Sequence, residues 1–285
     1  MSAPTPISFE LFPPRTPEGV AKLPAVVCQL AEAKPGYFSV THGAGGSDQD
    51  GTYETLLTVV RECGIEAAPH LTCIGSTRAK VGALLDKYRE AGVKKIVALR
   101  GDLPATAMSA AAPGEFNYAN ELVNFIRETH GDYFTVEVAA YPEMHPQATS
   151  AQADFDNFRR KVDAGADGAI TQLFYNVDAY FDFVDRCVKA GITIPITPGI
   201  MPITAYANIV RFCTGCGADL PRWLKLRLED LQDDKPALQE FGLEVVTRLC
   251  ETLLKHGAPG LHFYTINQAE PTLRLCANLA LGVSA

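Results

Sequence analysis

The chain has 285 residues, 47% of them hydrophobic and 20% charged, which is enough apolar material for one large core or two small ones and too much for a disordered chain. A net charge of −8 argues against nucleic-acid and anionic-membrane partners, because both attractions need clustered Lys and Arg. No apolar run is long enough for a membrane-spanning helix, the first 18 residues do not resemble a secretory signal, and eight scattered cysteines read as free thiols, so the expected location is the cytoplasm.

The first β-rich run, residues 7–12, reads ISFELF and stops at Pro13 and Pro14, which cannot continue a central strand. It sets Glu10 among Phe9, Leu11 and Phe12. Burial in such a setting raises a carboxyl pKa toward neutrality, the property a general acid needs. The structural alternative is an ion pair with Arg15 or Arg100. Helical spacing follows over residues 19–33, then a second strand at 37–41 and a helix at 52–63. The intervening THGAGGS lacks the G-x-G-x-x-G spacing of a dinucleotide-binding turn. A third strand at 67–72 and a helix at 77–91 precede a fourth strand at 95–100, which runs directly into Gly101 and Asp102. Gly101 permits close backbone approach and Asp102 offers an acceptor, although Asp after Gly is also an ordinary turn former.

A helix at 118–129 and a fifth strand at 135–140 lead to a loop carrying Tyr141 and His145, then to a helix at 152–164. On that helix Asp154, Asn157, Arg160 and Lys161 recur at three- and four-residue steps along one face. A lone charged face is usually solvated. Directly after a strand, two cations beside Asp and Asn also suit a ribose and a diphosphate. The remaining elements are a strand at 168–174, a helix at 177–190, a short run at 194–197, helices at 204–213 and 236–256, and a last strand at 260–264.

Eight strands alternating with helices over this length predict one (β/α)8 barrel spanning residues 1–285, with an open doubly wound sheet as the alternative. In a barrel the functional groups sit at the carboxyl ends of strands, where the polar residues above fall. His42, His70, His145 and His262 show no H-x-H or H-E-x-x-H pairing, and Cys213-x-x-Cys216 has no second pair. No metal site is expected.

The segments FELFPPRTPE (9–18), FSVTHGAGGS (38–47), APHLTC (68–73), IVALRGDLP (96–104), AAYPEMHP (139–146), AQADFDNFRRKVDAGAD (151–167), ITQLFYNVDAY (170–180), PGIMPI (198–203) and LHFYTIN (261–267) run in order over nearly the whole chain. Together they resemble the methylenetetrahydrofolate reductases, in particular the single-domain bacterial type. The resemblance implies a (β/α)8 barrel holding FAD without covalent attachment. It implies hydride transfer from NADH or NADPH through the flavin to 5,10-methylenetetrahydrofolate, in ping-pong order, giving the 5-methyltetrahydrofolate that supplies methionine synthesis. A homo-oligomer without a regulatory domain is implied as well.

Position by position, the resemblance makes Glu10 the acid that assists opening of the folate ring to an iminium, places Asp102 between flavin and folate, and sets Gln172 on folate or nicotinamide. The implied FAD contacts are Thr41, His42, Ala44, His70, Arg100, Gly101, Asp102, Tyr118, Ala119, Tyr141, His145, Asp154, Asn157, Arg160 and Lys161. The implied folate contacts are Glu10, Asp102, Gln172, Asn208, Phe212 and Gln268. Three positions depart from the family pattern: His42 stands where others have Tyr, Asn208 where some have Gln, and Gln268 where Arg is frequent. An amide at 268 cannot replace a fixed guanidinium charge at the folate glutamate tail. Competing classes are another FAD barrel of the proline dehydrogenase kind, a metal-dependent barrel hydrolase and a catalytically idle flavin- or folate-binding subunit; FELFPPR and HFYTIN speak against the first two.

Overall fold

Alternation along the strands decides what faces what. In β1 (Ile7–Leu11), Phe9 and Leu11 are fully buried in the outer core, whereas Ser8 and Glu10 meet residues of other strands across a central axis. The computed structural model describes residues 5–42, 49–101 and 114–282; Ala44 and Asp102 lie outside the described residues. Its strands are β1, β2 (Tyr37–Val40), β3 (Glu66–Thr72), β4 (Lys95–Leu99), β5 (Thr135–Ala140), β6 (Gly168–Thr171), β7 (Ile196–Thr197), β8 (Gly199–Ile200) and β9 (Leu261–Tyr264). All pair in parallel, in the order β7-β6-β5-β4-β3-β2-β1-β9-β8. The two ends of that order are consecutive in the chain, so the ring closes through Pro198 and the fold is a (β/α)8-type barrel.

That closure corrects the expectation of one strand at 194–197. Proline has no N–H to give a ladder, so the seventh position splits into β7, which pairs with β6, and β8, which pairs with β9. Gly199 sits where a Cβ would run into the Thr171 carbonyl oxygen and the Tyr264 ring, which requires glycine at the seam. The sixth strand also ends earlier than expected, at Thr171, leaving Gln172 as the first residue beyond it.

The helices are α1 (Pro17–Ala31), α2 (Gln49–Cys63), α3 (Arg78–Glu90), α4 (Ala119–His130), α5 (Ala151–Asp163), α6 (Val177–Lys189), α7 (Tyr206–Cys216), α8 (Arg222–Asp230), α9 (Lys235–Lys255) and α10 (Ala269–Asn278). Several begin at side-chain caps: Thr16 accepts from Gly19 N, Thr77 from Lys80 N and Ser150 from Ala153 N. The helices α8 and α10 were not expected. On α8 only Leu224 and Leu228 are buried, one thin stripe among charged residues; α10 is short and buries Ala269, Thr272, Leu275 and Cys276 at helical spacing against α1 and α9. It supplies the helix after the last strand. Among the described residues no helix is long and apolar enough to cross a membrane.

The core has two parts. A large outer layer fills the space between strands and helices, and a small inner cluster of Ala68, Val97 and Ile170, flanked by Tyr37, Leu99 and Tyr264, fills the barrel axis. Fully burying each large apolar side chain contributes about 1.5–3 kcal/mol. The outer layer therefore holds the fold, and the thin inner cluster leaves room for polar groups.

Candidate active site

Two adjoining hollows open at the carboxyl ends of the strands. The first, of about 800 Å³, lies over the barrel axis. Its floor is the inner core, through Val97, Ile170 and Tyr264; its walls include Glu10 from β1, His70 from β3, Thr41 and His42 after β2, Gln172 after β6, Met201 after β8, and Arg211, Phe212 and Cys216 of α7. Glu10 is enclosed but not sealed, its side chain 20% exposed, with Oε2 3.4 Å from His70 Nε2 and 3.9 Å from His262 Nε2. The ion-pair alternative named Arg15 or Arg100. The partners are histidines instead, because Arg100 is turned away, donating to Gln147 Oε1 at 2.5 Å and to the Gly101 carbonyl at 3.2 Å.

His70 is buried, and that burial pushes its pKa below the ordinary imidazole value; His262 and His42 push the same way, while Glu10 opposes them. A neutral ring results near pH 7. Its Nε2 makes no hydrogen bond among the described residues, since the Glu10 contact has ion-pair distance without hydrogen-bond geometry. A buried ring nitrogen without a hydrogen bond, beside a carboxyl in the cavity wall, is a place for a polar ligand.

His262 is fully buried beneath Glu10, with Ser8 Oγ 2.7 Å from Nδ1 and Ser39 Oγ 3.4 Å from Nε2. Tyr37 stacks on its ring at 6.1 Å and donates to Glu137 Oε2, which belongs to a carboxylate paired with Lys95. Sequence reasoning considered His262 only as a metal ligand and passed over Ser8, Ser39, Tyr37, Glu137 and Lys95. The available signal was polar residues at every second position of strands otherwise buried on both faces. Among the described residues no group of three or more His, Cys, Asp or Glu could hold a metal.

The backbone around Glu10 is fixed by the turn after β9. Thr265 Oγ1 donates to the Glu10 carbonyl at 2.6 Å, and Asn267 brackets Phe12, accepting from its N–H at 3.0 Å and donating to its carbonyl at 2.8 Å. Ile266 and Asn267 adopt positive φ, 52° and 51°, to make the bracket. The FELFPPR and HFYTIN segments are thus halves of one structural unit.

The second hollow is a groove of about 670 Å³ between the ends of β4 and β5 and the helix α5. Arg100, Gly101, Tyr118, Ala119, Tyr141, His145, Asp154, Asn157, Arg160 and Lys161 line it, so most of the expected flavin contacts meet there, while Thr41, His42 and His70 line the central cavity. The two hollows share Leu99, Ala139, Tyr141 and Gln172. Gly101 takes φ +83°, and a Cβ on it would stand 3.0 Å from Thr72 Cβ, so a side chain here would be strained as well as crowded.

Hydrogen bonds order the groove's polar wall. Asp154 Oδ2 accepts from His145 N at 2.9 Å, Asn157 Oδ1 accepts from Arg160 Nη1 at 2.7 Å, and Lys161 Nζ donates to the Ala139 carbonyl at 2.5 Å. Burial pushes the Lys161 ammonium down to about 8, against the pull of Asp154 in the other direction. Arg160 stays exposed. Of the expected folate contacts, Glu10, Gln172 and Phe212 line the central cavity, whereas Asn208 and Gln268 are exposed and line neither hollow.

The chain is similar to known proteins over nearly its whole length. The family model described as methylenetetrahydrofolate reductase matches residues 2–280. A 5,10-methylenetetrahydrofolate reductase of Pectobacterium carotovorum subsp. carotovorum is 40% identical over 275 residues, 96% of this chain and 90% of that protein. The protein of that name from Escherichia coli (strain K12) is 40% identical over 278 residues, again 96% of this chain and 90% of its own length. Methylenetetrahydrofolate reductase (NADH) 1 of Arabidopsis thaliana is 38% identical over 97% of this chain and 48% of that protein. A solved structure of an uncharacterized protein from Clostridium thermocellum, described as binding two copies of 5-methyl-5,6,7,8-tetrahydrofolic acid, matches with a TM-score of 0.64 at 15% identity, covering 98% of this chain and 94% of that one. At that identity the likeness speaks for the fold.

Proposed function

The chain belongs to the methylenetetrahydrofolate reductase family, and from that premise we propose that it reduces 5,10-methylenetetrahydrofolate to 5-methyltetrahydrofolate, with FAD in the groove and NADH or NADPH as hydride donor. The observation that carries the reading is a carboxyl, Glu10, in the wall of a cavity that adjoins a nucleotide-sized groove.

The donor set of the groove suits FAD. Arg160 and Lys161 offer cations for a diphosphate, Asp154 and Asn157 offer hydroxyl-binding groups for a ribose, and side-chain-free Gly101 lets a flat ring approach the β4 terminus. When bound, a flavin supplies the hydride chemistry. The protein's own part is orientation and the proton. Glu10 delivers a proton to the ring nitrogen that leaves as the folate five-membered ring opens, and the neutral His70 ring beside it offers Nε2 for hydrogen bonding to the pterin. Gln172, on the shared wall, presents its amide to whichever partner occupies the central cavity. One cavity serving nicotinamide and folate in turn gives ping-pong turnover.

The test is an absorption spectrum of the purified protein, followed by anaerobic addition of NADH or NADPH and then of 5,10-methylenetetrahydrofolate. The expected result is a flavin spectrum that the nicotinamide nucleotide bleaches and the folate restores. A colourless protein that takes up no added FAD, or a bleached flavin that folate leaves bleached, overturns the reading.

A further inference from the structure

Barrel interiors of this kind are normally packed with branched apolar side chains. The middle of this one obeys, but a file of polar groups descends from Glu10 and crosses from β1 toward β5 at the amino-terminal end. Glu10 Oε2 is 3.9 Å from His262 Nε2, and Ser8 Oγ is 2.7 Å from His262 Nδ1. Tyr37 stands opposite Ser8 in the β1–β2 register, its ring stacked on that of His262 at 6.1 Å. Tyr37 Oη then donates to Glu137 Oε2 at 2.5 Å, and Lys95 Nζ lies 3.2 Å from Glu137 Oε1. Tyr37 and Lys95 are the first residues of β2 and β4, so the file ends at the mouth of the barrel opposite the cavity. The Lys95 and Glu137 side chains are 18% and 13% exposed, and neither lines the cavity. Nothing in the reaction above uses Tyr37, Glu137 or Lys95, and burying such groups is unfavourable unless each is paired.

We propose that Tyr37, Glu137 and Lys95 are positioning residues of a proton relay that recharges Glu10 from the amino-terminal end of the barrel. The proposal rests on the reading of Glu10 as the acid. Each turnover of that reaction takes up one proton, and the folate undergoing reduction stands between Glu10 and the solvent at the cavity mouth. A second entrance removes the need for the substrate to leave before the acid is reset.

The proton balance is simple. With Glu137 protonated from water beside Lys95, its O–H passes a proton to Tyr37 Oη; the Tyr37 hydroxyl proton moves to Ser8 Oγ, the Ser8 proton to His262 Nδ1, and the His262 Nε2 proton to the Glu10 carboxylate through one water bridging the 3.9 Å between them. At each intermediate member one bond to hydrogen breaks as another forms, and the net change is one proton lost from Glu137 and one gained by Glu10. Ser39, 3.4 Å from His262 Nε2, flanks the last transfer. Burial, first, and the neighbouring Glu137 charge push the Tyr37 hydroxyl far above its ordinary pKa. Tyr37 therefore relays by exchanging partners rather than by ionising. Outside the file, the titratable groups facing it are His70 of β3 and Tyr264 of β9.

The test compares half-reactions in the FAD-loaded enzyme. Tyr37→Phe keeps the ring stacked on His262 and removes only the hydroxyl. The expected result is a folate-reducing step slowed about tenfold with a larger solvent deuterium isotope effect and an unchanged rate of reduction by the nicotinamide nucleotide. Glu137→Gln should reproduce the pattern from the other end of the file. A Tyr37→Phe enzyme with wild-type rate and isotope effect overturns the relay, as does equal slowing of both half-reactions, which marks a structural role. A wild-type enzyme that reduces no folate overturns the parent reading instead, and is told apart by that control.

Discussion

The groove beside α5 and the cavity over the barrel axis are neighbours that share Leu99, Ala139, Tyr141 and Gln172, yet they are built in opposite ways. In the groove one helix supplies Asp154, Asn157, Arg160 and Lys161 at consecutive turns, so its charge pattern is local in sequence. In the cavity Glu10 and His70 come from two strands and Gln172 from just beyond a third, with His262 of a fourth beneath them. A grip on a nucleotide can be written into one stretch of chain. A carboxyl at the strand ends takes its neighbours from around the circumference.

That division of labour predicts separable defects. The largest belongs to Glu10→Gln: the folate-reducing step should fall by about 10²–10⁴-fold, the usual worth of a general acid, with FAD binding and reduction by the nicotinamide nucleotide retained in stopped-flow traces. Equal loss of both half-reactions would mean that cavity and groove are one functional unit.

Next come Arg160→Ala and Lys161→Ala. If each holds the FAD diphosphate as proposed, its loss removes a charge-assisted bond worth about 1.5–3 kcal/mol, so FAD affinity should drop roughly ten- to hundredfold in a fluorescence titration of apoprotein. Lys161 adds a pH signature, since burial pushes its ammonium down to about 8. Raising the pH through that value strips positive charge from the groove, so FAD affinity should decline there, and Lys161→Arg should flatten the decline. Apoprotein stability should move the other way. Between about pH 8 and the unfolded value near 10.4 the unfolded chain binds more protons than the folded one, so stability rises with pH.

The smallest effect is expected at Gln268. Exposed and outside both hollows, it should change the KM for folate by less than about twofold on replacement by Ala, as surface positions usually do. A tenfold change would draw the α10 cap into the cavity's working surface.

The same contrast explains what the sequence made legible. Three- and four-residue spacing exposed the α5 face without any knowledge of the fold, and a carboxylate inside ISFELF drew attention to Glu10 alone. Its partners were hidden because they depend on register: Ser8 stands opposite His262 only through the β1–β9 pairing, and neighbours so distant in the chain leave no local trace. The strand split at Pro198 and the thinly buried α8 escaped for a different reason. Two-residue strands and a helix with only Leu224 and Leu228 buried are too short in pattern for periodicity to register.

The bracket that Asn267 and Thr265 place on Phe12 and Glu10 spans 255 residues of chain in each of its bonds. During synthesis Glu10 is therefore made early and fastened late. Closing so long a loop adds only logarithmically to the entropy opposing it, but such contacts lengthen the search for the native topology. The clasp shuts only when β9 docks against β1, so a chain caught before that moment carries Glu10 without its anchorage, and catalytic competence becomes a report that the ring has closed.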